Sequence, residues 1–115
     1  GSSHICFQDE ILREEYERWN IPYSGIDVRA VAKEQAEYDE CDYITVQSSF
    51  AERTFISRGI PSSKLVKLPL GVDLQMFRPA IKEDKVFRVL YSGTVSLRKG
   101  ILYLLEALKD LRLKN

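Results

Sequence analysis

The residues best suited to chemistry lie close together in the stretch YSGTVSLRKGILYLLEAL (91–108). Gly93, Thr94, Arg98 and Lys99 sit between an apolar run and a segment whose leucines repeat at helical spacing. The first turn of a helix already carries partial positive charge, so two further cations there are unfavourable unless an anion is present. A glycine at the head of such a loop lets backbone approach that anion, and the N–H groups of the helix start point at it. The spacing therefore suits phosphate binding with Lys99 the best candidate cation, although on these residues alone a solvated lysine ahead of a helix is the plainer reading. Gly93 equally suits an ordinary turn.

Other candidates are more dispersed. His4 is the lone histidine, at the end of the strand-like SSHICF (2–7); an imidazole with its pKa in mid-range can donate to a hydroxyl, or simply pack. Ser48 and Ser49 follow the β-rich YITVQ (43–47), and Ser49-Phe-Ala-Glu52 has the spacing of a capping box. Asp9, Glu10, Glu14 and Glu15 read as a solvated helix face, with no pair placed as general acid and base. Cys6 and Cys41 stand without a CxxC, and with one histidine they read as reduced thiols and not as a zinc site. Lys99 precedes Gly100, so no Walker A loop is present, and GxGxxG is absent.

The 115 residues carry 17 Lys+Arg against 17 Asp+Glu, so no global field draws the chain to nucleic acid or an anionic membrane. A hydrophobic content of 44% fits a packed domain. No apolar run approaches the roughly 20 residues of a membrane span, and GSSHICFQDE lacks the pattern of a secretory signal. A cytoplasmic setting is expected. The abrupt ends, SSHICF and LKDLRLKN, lead us to expect an internal fragment of a longer chain.

The elements that must position these residues follow from periodicity and punctuation. QDEILREEYERW (8–19) predicts a helix stopped by Asn20-Ile-Pro22. Asp27 should cap a second helix over 28–40. A strand over 43–47, a helix from Phe50 to a stop at Gly59 and Pro61, and a strand over KLVKLPL (64–70) make a βαβ crossover and hence a parallel pair. GVDLQMFRPAIKEDKV (71–86) has little periodicity and reads as a linker. VFRVLYSG (86–93) predicts another strand. Ile101, Leu104, Leu105, Leu108 and Leu111 share one face of a final helix.

Three phrases, in order, resemble family 4 of the retaining glycosyltransferases. DYITVQSSF (42–50) is similar to the family's "AD-x-I-x-V-x-S", and KLVKLPLGVDLQMFRP (64–79) to "K-I-x-V-x-P-x-G-V-D-x-x-x-F-x-P". VLYSGTVSLRKGILYLLEAL (89–108) is similar to "x-L-x-V-G-R-x-x-x-x-K-G-x-x-x-L-L-x-A". Together they span about 40% of the chain.

The resemblance implies a GT-B fold, two Rossmann-like α/β domains facing across a cleft. Residues 1–70 would belong to the acceptor-side domain, 71–85 to the interdomain connection and 86–115 to the first strand and helix of the donor-binding domain. The implied activity is transfer of a sugar from a nucleotide-diphosphate-sugar donor to a sugar, lipid or other hydroxyl acceptor, with retention. No metal or other cofactor is expected. Lys99 would contact the donor diphosphate and stabilise the leaving nucleotide, and Gly93, Thr94 and Arg98 would complete the phosphate site. His4 would take an acceptor-side catalytic position. Thr94 departs from the arginine many members carry there, which Arg98 would offset. The family's E-x7-E element is not among these residues, so the segment alone is expected to be inactive. Two other readings are a GT-B relative kept only for binding and a flavodoxin-like module that binds a partner protein.

Overall fold

The computed structural model describes residues 3–111, so the expectations for residues 1–2 and 112–115 fall outside it. The chain is mixed α/β and divides into two compact units, residues 1–77 and 78–115. The first holds helices α1 (Ile5–Arg18), α2 (Val28–Glu40) and α3 (Ser49–Ile56) and strands β1 (Ile44–Val46) and β2 (Leu65–Lys67). The second holds helix α4 (Ile101–Asp110).

Helix α1 begins at Ile5, so SSHICF is not the strand its composition suggests. His4 is instead the N-cap, its side chain accepting the Cys6 N–H. The long run of helix formers behind Cys6 wins over the weak strand preference of four residues. The helix stops where Asn20 takes a left-handed conformation (φ 52°). Ile21 N–H then reaches the Tyr16 carbonyl at 2.9 Å and Asn20 N–H that of Glu17 at 3.0 Å. This pair of bonds satisfies carbonyls that would otherwise be left open. The return loop is tied to α1 by Asp9, whose Oδ1 accepts from Tyr23 Oη at 2.9 Å and from Ile26 N at 2.8 Å. Asp27 then caps α2 as expected, accepting from Arg29 N.

Strands β1 and β2 are parallel, with Ile44 opposite Leu65 and Val46 opposite Lys67. Each has three residues, shorter than the 43–47 and 64–70 the sequence suggests. Helix α3 crosses between them. Its cap is Ser48, not Ser49: Ser48 Oγ accepts from Ala51 N, and Ser49 is the first helical residue. The shift removes the capping box, and Glu52 pairs with Lys67 at 3.3 Å instead. The helix closes through Ile60 N–H to the Phe55 carbonyl and Gly59 N–H to that of Ile56, with Gly59 at φ 87°.

The core sits under this crossover. Val46, Ala51 and Phe55 are buried, and Tyr38, Ile44, Ile60 and Leu65 pack against them. Lys64 adds a long-range tie. Its Nζ donates to the carbonyls of Tyr38 at 2.6 Å and Asp39 at 2.9 Å, satisfying the C-terminal end of α2.

In the second unit the expected strand over 86–93 does not form: no ladder engages these residues. A strand needs a neighbour to take its N–H and C=O groups, and the described part of this unit supplies none. Val86, Phe87, Val89 and Leu90 are exposed. Helix α4 forms where the leucine spacing places it and starts from Gly100 at φ 68°. Among the described residues no helix is long and apolar enough to cross a membrane.

Candidate functional site

The loop between Tyr91 and α4 is shaped by two glycines and one tyrosine. Gly93 has φ 146°, where an L side chain is strained, and a Cβ there would meet the Tyr91 hydroxyl at 3.7 Å. That hydroxyl donates to the Thr94 carbonyl at 2.7 Å, folding the loop back on itself. Tyr91 is thus part of the loop's framework, and its sequence signal is a tyrosine three residues before a loop carbonyl, across a glycine.

Leu97–Lys99 then make a single 3-10 turn, entered from Ser96 in extended conformation. Lys99 N–H donates to the Ser96 carbonyl and Gly100 N–H to that of Leu97. The turn passes directly into α4 through left-handed Gly100, so the Arg98 and Lys99 side chains project from the turn just ahead of the helix. Both are exposed, and among the described residues neither forms an ion pair. Thr94 is exposed too. Gly93, Thr94, Arg98 and Lys99 thus lie in one short loop, and no ion pair among the described residues consumes its two cations.

His4 lies in the other unit and has a different character. It is 4% exposed, and its ring rests 5.0 Å from that of Tyr38 and 5.4 Å from that of Phe55. Its backbone N–H donates to Thr54 Oγ1 at 3.0 Å, and its Nδ1 accepts the Cys6 N–H at 3.2 Å. Burial, then the nearby Arg58 guanidinium, hold its pKa below the ordinary value against the opposing pull of Glu34 and Glu10. Such an imidazole is neutral and committed to the fold.

In parallel α/β units ligands bind beyond the carboxyl ends of the strands. At that edge here are Ser48, Ser49 and Lys67. All three are engaged: Ser48 caps α3, and Lys67 Nζ bonds Ser49 Oγ at 3.1 Å and Glu52 Oε2 at 3.3 Å. The opposite edge carries an open groove lined by Asp42, Tyr43, Pro61, Ser63 and Lys64, whose lysine is the one that ties down α2. Cys6 and Cys41 are free thiols. Of the acidic cluster, Asp9 organises the return loop, and the backbone N–H of Ile26, the Tyr23 hydroxyl and Arg13 hold its carboxyl below the ordinary value. Glu10 pairs with Arg58. Among the described residues no three His, Cys, Asp or Glu side chains gather as a metal site.

The loop 93–100 therefore exposes together side chains suited to an anion. Comparison with known families, with curated proteins and with solved structures gives no match for the chain.

Proposed function

We propose that the chain is part of a retaining glycosyltransferase of GT-B architecture, and that the loop 93–100 receives the diphosphate of a nucleotide-sugar donor. The observation that carries the reading is the exposure of Arg98 and Lys99, unpaired among the described residues, on a turn leading straight into α4. Cations in that position offset charge developing on a departing phosphate, and helix N–H groups add to them. The three sequence phrases support the same assignment. On this reading residues 1–70 belong to the acceptor-side domain, 71–85 connect, and 86–115 open the donor-binding domain. The acceptor is a sugar, a lipid or another hydroxyl compound, transfer takes place in the cytoplasm, and no metal takes part. His4 is left out of the chemistry, because it is buried and its Nδ1 is already used.

Lys99→Ala in the intact parent protein tests this. An interaction stronger in the transition state than in the bound donor acts mainly on turnover. Transfer should fall roughly a hundredfold, with a smaller change in donor affinity. Lys99→Arg should restore only part, since a guanidinium fork does not replace a compact ammonium. Near-normal turnover in a folded Lys99→Ala protein would remove the assignment.

A second reading rests on Thr94. The resembled pattern has arginine there, and here the exposed Thr94 carries no charge. A GT-B relative that binds a nucleotide diphosphate without transferring sugar fits that departure. Binding that depends on Lys99, with no transfer to any hydroxyl acceptor, would favour it.

A further inference from the structure

We propose that His4 is a pH-sensitive latch: neutral, its imidazole caps α1 and holds the helix against α2 and α3, and on protonation it lets α1 go. The geometry favours the neutral ring. Nδ1 accepts the Cys6 N–H, so the neutral ring carries its proton on Nε2. A second proton on Nδ1 would turn the acceptor into a donor facing a donor. It would also place a full positive charge at a helix N-terminus, where the dipole opposes it.

The surroundings sharpen the conflict. Around His4 lie the Cys6 N–H and Glu10 of α1, Glu34 and Tyr38 of α2, and Phe55 and Arg58 of α3 and its end, while Thr54 takes the His4 backbone N–H. The two carboxylates that would welcome a cation are committed: Glu34 accepts the Tyr38 hydroxyl at 2.6 Å, and Glu10 holds Arg58. Tyr38 and Phe55 enclose the ring and keep water from it. Since the folded-state pKa is lowered, the latch contributes its full stability above the ordinary value of about 6.5. That contribution is lost as pH falls from there towards the folded value. In that interval the opened form binds more protons, and its population rises by at most tenfold per pH unit.

His4 is the single histidine in the sequence, so its ring protons give one unambiguous NMR signal on the full chain. The expected midpoint lies below 6.5. Amide protection factors in the first turns of α1 should begin to fall below about pH 6.5, by at most tenfold per unit, and level off below that midpoint. Asparagine caps helices without titrating, so His4→Asn should keep α1 protected and nearly independent of pH between 7 and 5. A ring that titrates at its ordinary value, or the same pH dependence in His4→Asn, would overturn the latch. Should His4→Asn not fold, the wild-type sample decides alone: a loss of α1 protection that runs on past the ring's midpoint without levelling off also overturns it.

Discussion

At the scale of single residues, adjacent side chains of the same type do different work. Ser48 accepts from Ala51 N at 3.1 Å and satisfies a helix-start donor, while Ser49 only receives the exposed Lys67 ammonium. Replacing an N-cap serine with alanine costs about 1 kcal/mol; exposed contacts of the second kind are worth a few tenths. Ser48→Ala should therefore lower the urea midpoint clearly and Ser49→Ala barely, and equal shifts would contradict the cap assignment. Asp9 offers a second test. Its folded-state pKa is depressed, first by the Ile26 N–H and then by the Tyr23 hydroxyl. The stability it supplies is thus present above its ordinary value and lost as pH falls through the folded one. Asp9→Asn should flatten the unfolding curve below about pH 4 and leave the region near pH 6, where His4 acts, unchanged. Burial, and after it the hydrogen bond and charge of Asp9, push Tyr23 up to about 12, so its hydroxyl stays a donor to Asp9 well into the alkaline range.

At the scale of elements, what could be read in the sequence was whatever local chemistry decides. Asp27, Asn20 and Gly59 mark ends of helices because capping and left-handed backbone are properties of one or two residues. Gly59 makes a direct test. It sits at φ 87°, and a Cβ there would meet nothing within 4 Å, so Gly59→Ala measures backbone strain alone, about 1–2 kcal/mol in an unfolding titration. An unchanged midpoint would mean the turn relaxes. Less legible was anything that depends on distant partners. VFRVLYSG has strand composition, yet residues 86–93 find no ladder. SSHICF looked extended because nothing in six letters shows that His4 is wanted as a cap by a helix fourteen residues long. In the candidate site the residue types were legible at Gly93, Arg98 and Lys99. The 3-10 turn at Leu97–Lys99 and the Tyr91 hydroxyl that folds the loop were not, since both follow from three-dimensional closure.

At the scale of the whole molecule, burial is uneven. Every fully buried residue described lies between His4 and Phe55. From Leu68 to Leu90 the apolar side chains are exposed: Leu70 at 78%, Ile81 at 93%, Leu90 at 88%. Segments with little buried surface open most easily. Limited proteolysis should cut first between residues 70 and 92 and leave a resistant product holding α1 to β2. Early cuts inside α3 would contradict this. Phe55, 3% exposed at the centre of the core, is where that product is most vulnerable. Phe55→Ala should cost about 3–5 kcal/mol, enough to abolish cooperative melting in a unit of this size.

The bond from His4 N–H to Thr54 Oγ1 joins positions 50 apart in the chain, and its consequence is kinetic. The βαβ crossover closes a far shorter loop, and longer closures come at greater entropic cost. On that ground we expect the bond to form late in folding, when α1 settles on an assembled crossover. Removing it through Thr54→Val leaves a buried N–H without an acceptor. Contacts formed after the transition state change the unfolding rate and not the folding rate. Stopped-flow traces of Thr54→Val should show faster unfolding over an unaltered refolding limb, so this hydroxyl governs how long the fold persists and not how quickly it is reached.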